Sequence, residues 1–124
     1  MHRFRTPLGW ALAAYWIALV VGTHLPPREV PSGGGHWDKL QHFLAYAGLA
    51  ALLAAWLAMR HAPRRRVFLW AFAIVAAFGV LDELTQPAFG RSCEFLDLVA
   101  DWIGAAAGTF AVAVGMRWWE RVEG

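Results

Sequence analysis

An all-α integral membrane protein, a four-helix bundle with antiparallel neighbours and both termini in the cytoplasm, is the architecture this sequence predicts. Three observations carry the prediction. Hydrophobic residues make up 59% of the chain and charged ones 16%, against roughly 45–50% and 25% in soluble globular domains. Four apolar stretches follow one another, separated by short segments rich in Pro, Gly or Arg. Eight tryptophans in 124 residues suit a chain with two bilayer interfaces, where Trp collects. At this length residues 1–124 are read as one transmembrane domain.

The first span is expected over about residues 8–23. A basic start before a short apolar run also describes a signal peptide, but Trp10, Tyr15, Trp16 and the lack of a small-x-small site before Pro26 favour an uncleaved span. Pro7 suits the first turn, where its missing N–H is not needed. Residues 24–35 (HLPPREVPSGGG) hold three prolines and three glycines, which is loop composition. The second span is expected over about 38–59, with Asp38 as N-cap or first-turn acid. The basic turn RHAPRRR leads to a third span over about 66–86, which Pro87 stops. PAFGR makes a turn, and the fourth span covers about 94–118. A span needs ~20 residues, so the second to fourth are ample and the first is near the lower limit. Short connections make consecutive spans antiparallel neighbours.

Orientation follows from the cations. Arg3, Arg5, Arg60, Arg64, Arg65, Arg66, Arg117 and Arg121 fall on one side, and Arg28, Lys39 and Arg91 on the other. The positive-inside rule then places both termini in the cytoplasm, with the protein in the cytoplasmic (inner) membrane. Trp10, Trp56, Trp70, Trp118 and Trp119 match the inner level, Trp37 and Trp102 the outer, and Trp16 falls mid-span. The basic turn would also meet anionic lipid head groups. No basic stripe with interleaved aromatics suggests nucleic acid. The single cysteine, Cys93, excludes an intrachain disulfide and suits a small loop residue, with a reactive thiol as the alternative.

The acids are segregated the other way. Glu29, Asp38, Asp82, Glu83, Glu94, Asp97 and Asp101 belong to the outward half, and only Glu120 and Glu123 to the inward half. Asp38 and His42, Asp82 and Gln86, and Asp97 and Asp101 are each four apart, so each pair shares a helix face. Glu83 lies beside the second pair. The face bearing Asp97 and Asp101 continues toward Gly104 and Gly108, small residues that let another helix approach closely. Lys39 and Arg91 are the nearby cations, and Arg91 could form a bidentate pair with a carboxylate, anchor its loop or bind a phosphate. Three readings stay open: an ion-pair network that ties helix ends together, an outward site for a polar head group or substrate, and a metal site. No metal or other cofactor is expected, because one histidine among hard acids does not specify an ion. His42 is either a hydrogen-bonded structural residue or an acid or base near neutral pH. No nucleophile signature marks a catalytic residue.

Asp38-Lys39-x-x-His42, Asp82-Glu83-x-x-Gln86, Arg91, Asp97, Asp101, Gly104 and Gly108 together resemble the VanZ-like family of small membrane proteins, from the second span through the fourth. Asp101 stands where the family often has Asn, which adds an ionisable group. The family is named for a protein associated with low-level resistance to the glycopeptide teicoplanin. The resemblance implies a cell-envelope protein with these polar residues at its centre, and leaves open whether it is an enzyme. The expected partners are membrane lipids and a lipid-linked cell-wall intermediate or lipoglycopeptide. A membrane enzyme on a lipid-linked substrate and a scaffold with a purely structural cluster are the alternatives.

Overall fold

The computed structural model describes residues 2–26, 35–60 and 62–124, and of residues 2–6 the backbone alone. Four helices follow in order: α1 (His2–His24), α2 (Gly35–Ala58), α3 (Arg64–Thr85) and α4 (Phe95–Glu123), with a 3-10 turn at Gln86–Phe89 between the last two. All four are long and apolar enough to cross a membrane, and the protein is a multi-pass membrane protein. Leu44, Leu69, Ile103 and Phe110 are exposed, as lipid-facing side chains of such helices are.

The helix ends differ from the sequence expectation in ways the backbone explains. The first helix starts at His2, so Pro7 lies inside it rather than at its first position. The bond Pro7 forfeits is to a carbonyl of the opening turn, where water or head groups can substitute. The second starts at Gly35, which puts Asp38 in the first turn and not at the N-cap. The fourth continues to Glu123 and takes in the amphiphilic tail. Most of the Pro/Gly-rich loop (27–34, with Arg28 and Glu29) and residue 61 of the basic turn lie outside the described residues.

Residue pairings give the directions. Tyr15 donates to the Ala45 carbonyl and Gly9 faces Trp56, so α1 and α2 run antiparallel. Tyr46 bonds Asp82 and Tyr46 also faces Gly79, while Asp101 lies against Gly79 and the Trp102 indole donates to the Ala76 carbonyl. Helix α3 therefore opposes both α2 and α4. Those two run parallel: Gly104 abuts Phe43 and Gly108 abuts Ala47. A methyl group at either glycine would collide with the backbone carbonyl opposite. Gly104 and Gly108 thus face α2.

Tyr46, Leu49, Ala50, Leu53 and Ala54 of α2 meet Val67, Ala71 and Val75 of α3, Ala105 of α4, and Leu12 and Leu19 of α1 in one core. Trp16 has its mid-span place explained: its ring sits edge-on to Phe78 with centroids 5.3 Å apart. At the basic end, Arg64 pairs with Glu120 at 3.2 Å and Arg60 covers the Trp56 ring. The opposite end gathers the acids.

Candidate functional site

Helical spacing brings the polar residues together. Asp38, His42 and Tyr46 lie one turn apart on α2, and Asp97 and Asp101 do the same on α4. Because these helices are parallel, equal steps along each keep the two rows in register. The chain then returns to them through a tight turn. Helix α3 ends at Thr85, and Pro87, without an N–H, is the second residue of the 3-10 turn that follows. Gly90 closes it with φ +77, a backbone that favours glycine. Arg91 N–H bonds back to the Gln86 carbonyl, which sets Arg91 to Glu94 across the end of α3.

Three linked groups result. In the first, Lys39 reaches Asp97 Oδ1, Glu94 Oε2 at 2.7 Å and Asp38 Oδ2 at 3.6 Å. The Lys39 ammonium, by bonding to the exposed Glu94, holds that carboxyl below the usual carboxylate range. In the second, His42 Nδ1 is 2.8 Å from Asp101 Oδ1 and 3.8 Å from Glu83 Oε1, and Nε2 is 3.8 Å from Asp97 Oδ2. Glu83 is fixed from both sides: Gln86 Nε2 donates to Oε1 and the Glu94 backbone N–H to Oε2, each at 3.1 Å. In the third, Asp82 accepts from the Thr23 hydroxyl at 2.8 Å and the Tyr46 hydroxyl at 3.0 Å, with a longer contact from Gln86 Nε2. His24 lies beside it, its Nε2 2.8 Å from Thr85 Oγ1.

Asp82, Glu83, Asp97 and Asp101 are all buried, Asp101 completely. Among the described residues Lys39 is the one Lys or Arg paired with any of these four, and Asp101 Oδ2 has no hydrogen-bond partner. An ionised group so placed costs several kcal/mol unless it is paired. The arrangement therefore demands protons or a cation beyond Lys39. Among the described residues two sets of side chains could hold a metal: Asp38, His42 and Asp97, and the wholly buried His42, Glu83 and Asp101.

Asp38, Lys39, His42, Asp82, Glu83, Gln86, Asp97 and Asp101, expected together, are brought together. Arg91 sits as a loop anchor and not in a carboxylate pair. Among the described residues it pairs with no carboxylate and bonds the Leu25 carbonyl at 3.4 Å, because the Gly90 turn carries it toward the end of α1. Glu94, read among the outward acids, joins them through Lys39, and Tyr46, Thr23 and His24 join the cluster without having been singled out with it. Tyr46 was legible as the next turn after Asp38 and His42. Cys93 is an exposed free cysteine.

A cleft of about 280 Å³ opens between α1 and α2 next to the cluster. Thr23, Asp38, Gln41, His42, Tyr46 and Arg91 form its polar part, and Ala18, Leu19, Gly22 and Ala45 its apolar part. Tyr46 belongs to cleft and cluster alike, and its ring stacks on Phe78 with centroids 5.9 Å apart. Tyr46→Phe keeps the ring and removes the donor to Asp82. A loss of about 1.5–3 kcal/mol is expected for a hydrogen bond to a charged group, measured as a lowered unfolding free energy in mixed micelles.

A family model described as VanZ/LLP1 matches residues 10–116, which takes in α2 and α3, most of α1 and α4, and the whole cluster. No curated protein matches the chain, and no solved structure does.

Proposed function

The chain belongs to the VanZ/LLP1 family, and from that premise we propose that its polar cluster faces outward from the cytoplasmic membrane and engages an amphiphilic or lipid-linked envelope molecule. The cleft between α1 and α2 is the observation that carries this. It has one apolar wall and one polar end with Arg91, the two environments an acyl or polyprenyl chain with an anionic head needs. Arg91 supplies rigid, multidentate donors for phosphate or carboxylate. The excess of Arg at the other end supports the outward assignment of the cluster, with both termini in the cytoplasm. A role in the response to teicoplanin belongs to the same proposal, since a lipoglycopeptide joins an apolar tail to a polar head.

The test uses wild-type and Arg91→Ala protein in nanodiscs with two probes, teicoplanin and a polyprenyl phosphate. Losing charge-assisted bonds of about 1.5–3 kcal/mol corresponds to at least about tenfold weaker binding. Membrane yield and melting temperature should stay at wild-type values, because Arg91 makes one long bond to a carbonyl. Equal binding by the two proteins sinks the proposal. A catalytic version rests on His42, which lines the cleft and bonds the buried Asp101 as a general base would. It requires product formation that His42→Ala abolishes.

A further inference from the structure

We propose that His42, Glu83 and Asp101 form a site for one divalent transition-metal ion of the Zn2+ or Mn2+ class. The three come from three helices and are all buried. One donor atom from each lies within 4.8 Å of the others. Asp101 Oδ1 and Glu83 Oε1 stand 2.8 and 3.8 Å from His42 Nδ1. Four-coordinate ions with bonds of about 2.1 Å hold their ligand atoms ~3.4 Å apart, so these separations bracket the requirement.

A second, independent observation points to a ligand. Asp101 Oδ2 is buried and has no hydrogen-bond partner among the described residues, although its carboxyl group is turned into the cluster through the Oδ1 contact with His42. Charge gives the sign of what is missing. Asp82, Glu83, Asp97 and Asp101 are buried together, and Lys39 approaches only Asp97 among them. Of the three carboxylates Lys39 leaves out of reach, Asp82 has His24 beside it at 3.5 Å, and a dication at Asp101 and Glu83 would balance the other two.

The surroundings match a metal centre in a further respect. Metal-bound imidazoles usually turn the other ring nitrogen toward a carboxylate, which fixes tautomer and ring plane. His42 Nε2 faces Asp97 Oδ2 at 3.8 Å while Nδ1 faces the proposed ion. Glu83 is in turn oriented by Gln86 and the Glu94 N–H. An ion entering here takes the place of the proton shared between His42 and Asp101. One imidazole with two carboxylates suits Zn2+ or Mn2+ better than Ca2+ or Mg2+, which take oxygen donors.

Full-length protein in detergent, stripped with EDTA and desalted, is equilibrated with Zn2+ alone or Mn2+ alone. Bound metal is counted by mass spectrometry and the melting temperature recorded. One ion per folded wild-type chain and a raised melting temperature are expected. Asp101→Asn and Glu83→Gln should each weaken uptake at least about tenfold, whereas Glu123→Gln, which alters an exposed carboxylate, should leave it unchanged. Electron spin echo modulation of the Mn2+ form should report a histidine nitrogen, a wild-type reading that stands even if a variant does not fold. A folded wild type that takes up no ion, an ion without nitrogen coupling, or uptake surviving in both folded variants overturns the proposal. No lipid-linked molecule or lipoglycopeptide is added in these measurements, so their outcome does not depend on the proposed envelope ligand.

Discussion

Gly108→Ala is expected to cost the fold at least about 3 kcal/mol, the upper part of the range for overpacking, and Gly108→Leu to prevent stable assembly. The added methyl would overlap the Ala47 carbonyl, its carbon and its Cα. These are backbone atoms inside a helix and cannot rotate aside, so α2 and α4 must move apart. The same displacement would pull His42 from Asp101 and Lys39 from Asp97. Gly115→Ala on the same helix is the control, because nothing lies within 4 Å of its added methyl. There the change should be neutral or stabilising by up to about 1 kcal/mol, as for glycines in an unstrained helix. Unfolding in mixed micelles, with helix content followed by circular dichroism, measures both. Equal effects at the two glycines would show that the α2–α4 approach is looser than the structure has it.

Lys39→Met should give the second large effect. Methionine keeps much of the aliphatic stem and removes the ammonium that reaches Asp97, Glu94 and Asp38. Glu94 and Asp38 are well exposed and can be hydrated, so their loss counts for little. Asp97 is buried and is left with no ammonium beside it. Breaking a buried pair from one side costs about 3–5 kcal/mol, and Lys39, itself partly exposed, places the expected loss near the lower figure. Adding Asp97→Asn to Lys39→Met removes the stranded charge and should recover most of the stability. A double-mutant cycle reads the coupling. A cycle in which the two changes are simply additive would contradict the pairing.

The membrane class, the number of spans and the acids of the cluster with His42 and Lys39 were legible because they depend on local patterns. Apolar runs of sufficient length declare spans, and four-residue spacing puts Asp38 with His42 and Asp97 with Asp101 whatever surrounds them. Which residue pairs with which was not legible. That depends on how far each helix is rotated and shifted against the next, and short loops constrain only consecutive helices. The α2–α4 pairing skips over α3, so the match of His42 to Asp101 had no signature beyond the two glycines. Arg91 shows the same limit within a turn. Its reach was apparent from the sequence, and its direction depended on the left-handed Gly90. Tyr46 lay in plain register with His42 but sat inside an apolar run, where an aromatic residue reads as core.

The parallel pairing of α2 with α4 has a consequence for biogenesis. The helix that carries Asp97 and Asp101 is the last of the four to emerge during synthesis, and the groups that meet those acids, Lys39 and His42, are on a helix made two spans earlier. An aspartate at the bilayer centre opposes insertion by about 2.5–3.5 kcal/mol, and less toward the interface. The final segment thus enters a membrane in which its counter-charges are already waiting. Handed to the insertion machinery as an isolated segment, it would have to bring both carboxylates into the bilayer alone. Retention of α2 beside the translocation channel until α4 arrives is the sequence of events this architecture favours.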